Sequence, residues 1–162
     1  MDDIGDIRDF YQRELEHEDA RLTRHQLEFE ITWRYLMRHL PPGGKILEVG
    51  AATGRYTLEL ARAGHPVTAV DLTSALLDFN RQRIEAAGLG GVRFIAADAR
   101  DLSAVTEQDY DAVLLMGPLY HLVVEGDRQL ALQQALGRLK AGGVIFSAFI
   151  SRYGILGDLL KN

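Results

Sequence analysis

The sequence predicts an α/β fold in which a mostly parallel sheet carries helices on both faces. From Lys45 onward, short apolar runs typical of buried strands alternate with segments whose apolar residues recur at helical spacing. Strand–helix units of this length imply right-handed crossovers and a three-layer α-β-α sandwich. A glycine-containing turn follows the first strand, and an acid stands at or just after each of the first three strand ends. Ligand chemistry is therefore expected at the carboxyl ends of the strands.

Composition excludes several other classes of protein. The 162 residues are enough for one domain, and an apolar fraction of 47% with 25% charged residues is ordinary for a globular chain. No apolar run reaches the roughly 18 residues of a membrane span, so no membrane partner is expected. The absence of cysteine excludes thiolate metal sites and fits the cytoplasm. The net charge of −5 argues against a general nucleic-acid surface.

Residues 1–42 are predicted to form a helical segment or lid, and residues 43–162 the core. Helical spacing runs from about Ile7 to Leu40, where Pro41-Pro42-Gly43-Gly44 ends it. The apolar positions of its second half, expected to pack on the sheet, are Leu22, Phe29, Trp33, Leu36 and Leu40. Tyr11 lies in a less regular stretch that could fold over a ligand pocket.

The core is expected to contain five strands joined by helices. The strands are predicted at Lys45–Gly50, Pro66–Asp71, Val92–Ala97, Tyr110–Met116 and Val144–Phe149. Helices are predicted at Gly54–Ala63, from Thr73 or Ser74 to Gly88, and at Asp127–Leu139, with a short helix or turn near Ser103–Glu107. In the last long helix the residues expected to face inward are Leu132, Ala135, Leu136 and Leu139.

The turn after the first strand is the most informative stretch of the chain. From Lys45 to Tyr56 it reads Lys-Ile-Leu-Glu-Val-Gly-Ala-Ala-Thr-Gly-Arg-Tyr. It lacks both the G-x-G-x-x-G of dinucleotide-binding proteins and the Gly-Lys-Ser/Thr ending of a P-loop. Gly50 can adopt a positive φ in the turn, and Gly54 lets the next helix start close to the ligand or the strand. Ala52, between them, is expected to have a negative φ.

Two further acids extend this turn into a candidate nucleoside site. Asp71 lies 21 residues after Gly50, where nucleoside-binding proteins place the acid that accepts hydrogen bonds from ribose hydroxyls. NAD-binding proteins share that spacing, so Asp71 does not discriminate between cofactors. Asp98 follows strand three in Ala96-Ala97-Asp98-Ala99, and its alternative role is a helix cap or turn residue.

Together these motifs resemble the class I S-adenosylmethionine-dependent methyltransferases. The first motif of that family, Glu/Asp-x-Gly-x-Gly-x-Gly, is matched by Glu48–Gly54 with Ala52 in place of the middle glycine. Asp109–Leu122 is similar to the strand-four motif of small-molecule methyltransferases, and Leu139–Phe146 to the family's Leu-x-Pro-Gly-Gly segment. The resemblance covers nearly the whole chain and implies a Rossmann-like fold with strand order 3-2-1-4-5.

The resemblance also implies S-adenosylmethionine as cofactor and S-adenosylhomocysteine as product. Asp98 matches the acid that receives the adenine amine, and Ala99 the residue whose N–H meets the ring. The residues expected to bind the cofactor are Glu48, Gly50, Ala51, Ala52, Gly54, Asp71, Leu72, Asp98, Ala99 and Met116.

Candidate residues for the acceptor side follow strand four. His121 is the candidate base for a hydroxyl or ammonium acceptor, with a structural histidine as the alternative. Tyr120 and Tyr11 could orient donor or acceptor, or form apolar wall. Gly117-Pro118-Leu119 replaces the Asn/Asp-Pro-Pro-Tyr/Phe of enzymes that methylate nucleic-acid amines, so we expect a small-molecule acceptor and no nucleic acid. The other histidines are too dispersed in the sequence for a metal site, and none is expected.

Two other functions stay open from the sequence. A nicotinamide-dependent oxidoreductase is disfavoured by the missing fingerprint and by the Asp98 motif. The second alternative is a module that binds the cofactor without completing catalysis. It stays open because the family's sheet normally has seven strands and this chain stops at Asn162. We expect the last strands of the family to be missing. The uncharged, β-prone Val144–Phe149 would then be an exposed edge that pairs with a second copy or frays.

Overall fold

Five parallel strands form the sheet predicted from the alternating apolar runs. The computed structural model describes residues 26–151. Its strands are β1 (Ile46–Val49), β2 (Val67–Asp71), β3 (Val92–Ala96), β4 (Tyr110–Leu115) and β5 (Leu139–Ser147). They pair in the order β3-β2-β1-β4-β5, with every pair parallel. The predicted Rossmann-like strand order is confirmed.

Helices precede, connect and cover these strands. In the described part of the chain they are α1 (Gln26–His39), α2 (Arg55–Arg62), α3 (Ser74–Ala86), α4 (Pro118–His121) and α5 (Glu125–Leu136). Thr73 occupies the N-cap of α3 in an extended conformation, one of the two starts that the sequence predicts. No helix within residues 26–151 is both long and apolar enough to cross a membrane.

The central strands are apolar along their whole length because both faces of the sheet are covered. In β1, Leu47 and Val49 pack on the face covered by α4 and α5, whereas Ile46 packs on the opposite face. On that opposite face, Leu36 and Leu40 at the end of α1 join Ile46 in a buried cluster. The expected packing of α1 on the sheet is therefore found, although Leu22 and Tyr11 lie outside the described residues.

The last long helix differs from its predicted register. It ends at Leu136, and Leu139 instead begins β5. Ala131 and Ala135 are fully buried, whereas Leu132 and Leu136 are 37% and 47% exposed, so the expectation that these two leucines face inward is wrong. The small side chains at i and i+4 let the helix backbone approach β4 and β5 closely. The flanking leucines are then left at the border of the contact.

One further boundary differs from expectation, and one flexible expectation is resolved. Of the short helix or turn predicted near Ser103–Glu107, the structure shows the turn, and Leu102 and Val105 anchor it in the core. β5 begins earlier than expected, and its pairing with β4 is irregular between Tyr110 and Ala112. β5 lies at the edge of the sheet, as expected. Pairing of this edge with a second copy stays a prediction.

Candidate functional site

A crevice opens at the carboxyl ends of β1 to β4, where the strand order reverses between β1 and β4. The predicted cofactor residues that line it are Glu48, Gly50, Ala51, Ala52, Asp71, Leu72, Asp98, Ala99 and Met116. The predicted acceptor-side residues Tyr120 and His121 line the same crevice. Gly54 does not line it, and Tyr11 lies outside the described residues. The topology thus brings together residues that are up to 73 positions apart in the chain.

The Asp71 carboxylate connects the end of β2 to the loop after β1. One oxygen accepts a hydrogen bond from the Ala52 N–H and the other from the Thr73 N–H, each at 2.9 Å. Because a carboxylate offers about four lone-pair sites, both oxygens can accept further bonds from a ligand. Asp71 therefore shapes the loop and the start of α3 while its carboxylate faces the crevice.

Ala52 has a φ of +46°, so the expectation of a negative φ is wrong. The turn must direct the Ala52 N–H towards Asp71 while the Gly54 N–H bonds back to the Ala51 carbonyl at 3.0 Å. This geometry places Ala52 in the left-handed region, which costs an L-residue about 1–2 kcal/mol. The glycine usual at this position in the family would adopt it without strain.

The two glycines of the loop permit close contacts with neighbouring helices. Gly50 has a φ of +83°, and a Cβ there would lie 2.7 Å from the Pro118 Cδ at the start of α4. Gly54 has a φ of +86°, and a Cβ there would lie 2.1 Å from the Asn80 Oδ1 in α3. The close approach that the structure shows for Gly54 is to α3.

Glu48 is a buried acid on the crevice wall, with 4% of its surface exposed. Its Oε2 accepts a hydrogen bond of 2.6 Å from the Thr57 hydroxyl in α2. Burial raises the pKa of Glu48 to about 8; the Asp71 charge also raises it, and the Thr57 hydrogen bond opposes the shift. In these surroundings Glu48 is therefore largely protonated at neutral pH.

Asp98 is paired with Arg100, a residue that the sequence pattern did not single out. The Arg100 N–H and its Nη2 donate to the two oxygens of Asp98, each at 2.8 Å. The Arg100 Nη1 donates to Asp127 in α5, also at 2.8 Å. These hydrogen bonds raise the pKa of Arg100. Asp98 thus makes the turn contact that was its alternative role, and it also lines the crevice.

The short helix α4 carries Tyr120 and His121 on the β4 side of the crevice. Their ring centroids are 4.7 Å apart with an interplanar angle of 53°. Gly117 and Pro118, which precede them, also line the crevice. The assignment of His121 as a base and of Tyr120 as an orienting group stays a prediction.

A second wall comes from the start of α2 and is backed by α1. Arg55 and Tyr56 both line the crevice. The Arg55 guanidinium lies 4.3 Å from the centroid of the Phe29 ring, and its Nη2 donates to the Gln26 Oε1 at 3.1 Å. The Tyr56 ring lies 5.2 Å from that of Phe29, and burial raises the pKa of Tyr56. Arg55 and Tyr56 are the two residues that follow Gly54. Their position after this glycine is the one sequence feature that could have identified them as crevice residues.

Comparison with known proteins identifies the family. Residues 46–143 match the model of a family described as "Methyltransferase domain". The chain belongs to this methyltransferase family. The resemblance inferred from the motifs is thereby confirmed, and with it the cofactor S-adenosylmethionine. No group of three or more side chains able to hold a metal ion occurs in the part of the domain that the structure describes.

The methyltransferase domain is similar to proteins with different acceptors. It is 30% identical over 141 residues to the tRNA 5-carboxymethoxyuridine methyltransferase of Escherichia coli (strain K12), covering 83% of this chain and 52% of that protein. It is 35% identical over 103 residues to the demethylmenaquinone methyltransferase of Clavibacter sepedonicus, covering 64% and 40%. The domain spans about half the length of these curated relatives or less.

A solved structure supports both fold and family. The TehB-like SAM-dependent methyltransferase of Corynebacterium glutamicum shares 25% identity with the domain at a TM-score of 0.62. The alignment covers 86% of this chain and 80% of that one. The strand order and the crevice at its switch point are therefore those of a methyltransferase fold.

The left-handed Ala52 predicts an unusual response to glycine. We expect Ala52→Gly to be neutral or to stabilise the domain by up to about 1 kcal/mol, because it relieves the positive-φ strain. Ala51→Gly is the matched control, since Ala51 is buried without a positive φ, and it should destabilise by about 0.5–1 kcal/mol or more. Urea unfolding measures both. Equal destabilisation by the two changes would contradict the assigned turn geometry.

The raised pKa of Glu48 predicts a pH-dependent stability. The folded state holds the Glu48 proton more tightly than the unfolded state, whose pKa is near the model value of 4.5. This contribution to stability is therefore complete below about pH 4.5 and is lost as the pH rises through about 8. Glu48→Gln, measured by urea unfolding without ligand, should remove that loss, whereas Glu59→Gln in α2, which changes a more exposed acid, should retain it. A pH profile unaltered by Glu48→Gln would exclude Glu48 as its source.

Proposed function

We propose that the methyltransferase domain binds S-adenosylmethionine in the crevice and transfers its methyl group to a small-molecule nucleophile. The observation that carries this proposal is the convergence of the Glu48–Gly54 loop with Asp71 and Asp98 on one crevice. In this proposal Asp71 accepts hydrogen bonds from the ribose hydroxyls, and Asp98 accepts one from the adenine amine. The residues of α4 line the same crevice, where an acceptor would meet the donor.

The charge of the crevice supports a cationic ligand over a dinucleotide. Two carboxylates, Asp71 and Asp98, line it together with one arginine, Arg55, and with Glu48, a buried acid whose pKa is raised. The two phosphates of NAD would face these carboxylates, and like charges in a partly dehydrated crevice repel strongly. S-adenosylmethionine carries a sulfonium and an ammonium group, which the same carboxylates attract. The NAD-dependent alternative is therefore disfavoured by electrostatics as well as by motif.

The bound cofactor supplies a methyl group on a sulfonium, which is a good leaving group. The domain has to hold the acceptor in line with the methyl–sulfur bond and to exclude water from the reacting atoms. For a hydroxyl or ammonium acceptor a proton must also leave, and we assign its removal to a ring nitrogen of His121. Tyr120, whose ring contacts that of His121, is proposed to orient the acceptor.

A nucleotide in tRNA is the second candidate acceptor. The observation in its favour is the relation to the E. coli tRNA 5-carboxymethoxyuridine methyltransferase over 83% of this chain. Against it, the chain has a net charge of −5, whereas binding to a phosphate backbone usually requires a positively charged face. The relation to the demethylmenaquinone methyltransferase supports a small acceptor. We therefore favour a small molecule.

Ligand binding tests the cofactor site. We expect S-adenosylhomocysteine, but not NAD, to give a titration in calorimetry. Asp71→Ala should weaken the affinity roughly 10- to 150-fold, which corresponds to about 1.5–3 kcal/mol for hydrogen bonds to a charged group. Asp78→Ala removes an exposed acid of α3 and should leave the affinity unchanged. Thermal unfolding must show that Asp71→Ala folds, because Asp71 also holds the loop. Binding of NAD in preference to the methionine nucleoside would refute the cofactor assignment.

Methyl transfer tests the enzymatic half of the proposal. Donor labelled in its methyl group is incubated with a metabolite extract and, separately, with undermethylated bulk tRNA that keeps its other nucleoside modifications. Label that appears in small molecules and depends on His121, as tested with His121→Ala, would support the proposal. Label in tRNA would replace the small-molecule acceptor by the second candidate. Cofactor binding without transfer to either pool would show a domain that binds cofactor without completing catalysis.

A further inference from the structure

Three buried side chains form a hydrogen-bonded chain beneath the crevice. It runs from Asn80 in α3 through Thr57 in α2 to Glu48 in β1. Asn80 and Thr57 are fully buried, and Glu48 is 4% exposed. The Asn80 Nδ2 donates to the Thr57 Oγ1 at 2.9 Å, and the Thr57 hydroxyl donates to the Glu48 Oε2 at 2.6 Å. Of the three residues, only Glu48 lines the crevice.

The direction of these hydrogen bonds follows from the donors available. An amide NH₂ group can only donate, so the Asn80 Nδ2 occupies a lone pair of the Thr57 oxygen. The single hydroxyl hydrogen of Thr57 is then directed to the Glu48 Oε2. When Glu48 is ionised, this oxygen accepts the Thr57 hydrogen bond, and Oε1 is the oxygen left for a ligand. No hydrogen bond from residues 26–151 reaches Oε1.

The buried amide of Asn80 includes an oxygen without a hydrogen bond, which lowers the stability of the fold. Its Oδ1 is buried, makes no hydrogen bond within the described structure, and lies against Gly54. An unsatisfied buried polar atom costs about 1–3 kcal/mol, and such an atom in a folded protein calls for an explanation. The other end of the amide supplies one, since its donation to Thr57 fixes the hydroxyl that binds Glu48.

The surroundings of Glu48 determine which ligand group it can receive. The titratable groups that face it are Asp71 from β2 and Tyr56 from α2. The neutral Asn80 of α3 is connected to Glu48 through Thr57. In β4, Glu48 is paired with the apolar Leu114. A buried carboxylate beside a second carboxylate is stabilised by a cationic partner. The donor of the proposed reaction carries such a group in the ammonium of its amino-acid end.

We propose that Thr57 and Asn80 are positioning residues that hold Glu48 with Oε1 towards the crevice, where it binds the ammonium group of the methyl donor. This inference rests on the proposed function and adds two residues that do not line the crevice. Ammonium binding requires ionised Glu48. Because the Thr57 hydrogen bond lowers the Glu48 pKa, its loss should shift the onset of tight binding to higher pH.

The test compares two nucleosides that differ only at the amino-acid end. S-adenosylhomocysteine has the ammonium group, whereas 5′-methylthioadenosine keeps the adenosine and the thioether and lacks the amino acid. Affinities are measured by calorimetry from about pH 6 to about pH 9. Thr57→Val removes the hydroxyl at nearly constant shape, and Thr57→Ser restores it.

We expect Thr57→Val to weaken S-adenosylhomocysteine binding roughly tenfold near neutral pH, the usual effect of one lost hydrogen bond to a charged group. The pH at which S-adenosylhomocysteine binding becomes tight should be higher in Thr57→Val than in the wild type. Thr57→Ser should restore most of the affinity. Binding of 5′-methylthioadenosine should be the same in all three proteins. If Thr57→Val does not fold, Asn80→Ala replaces it. That change frees the Thr57 hydroxyl to rotate and should act in the same direction with a smaller effect.

Equal weakening of both nucleosides, or a pH profile of S-adenosylhomocysteine binding that does not move, would overturn the positioning role. Wild-type domain that binds neither nucleoside would instead refute the proposed function. The two failures are therefore distinguishable in the same experiment.

Discussion

The hydrogen bond from the Ala52 N–H to the Asp71 carboxylate is the contact on which the geometry of the site depends. It joins the loop after β1 to the end of β2, and the second oxygen of Asp71 holds the N-terminus of α3 through Thr73. With Asp71 in place, the loop must turn sharply, which explains both the left-handed Ala52 and the tight packing around Gly54. These two backbone hydrogen bonds also fix the orientation of the Asp71 carboxylate at the crevice wall.

The three acids of the crevice differ in the partners that stabilise their negative charge. Asp98 has a cationic partner in Arg100, and Asp71 accepts two backbone hydrogen bonds. Within residues 26–151, Glu48 accepts a hydrogen bond only from the neutral Thr57 hydroxyl, so burial dominates and its pKa rises. The acid with the weakest support from the protein is thus the one that gains most from a cationic ligand. This asymmetry is compatible with the proposed donor, whose ammonium group would give Glu48 a cationic partner.

The helix α1 joins the core and the crevice. Its C-terminal part is anchored by Leu36 and Leu40 in the cluster beneath β1. Its N-terminal part supports the crevice wall through Phe29 and Gln26, which contact Arg55. An arginine that is stacked on an aromatic ring and hydrogen bonded at its far end has fewer rotamers open to it. The wall formed by α2 is therefore partly rigid before any ligand binds.

The sequence alone determined the fold class, because hydrophobic periodicity and glycine spacing are local patterns. The strand order and most of the crevice residues came from the resemblance of its motifs to the methyltransferases. The exact turn at Ala52, the close approach of Gly54 to Asn80 and the pairing of Asp98 with Arg100 and Asp127 were decided only by the tertiary structure. The same holds for the burial of Ala131 in place of Leu132. Each depends on contacts between elements far apart in the chain, and no local pattern specifies the distance or angle at which two helices meet the sheet.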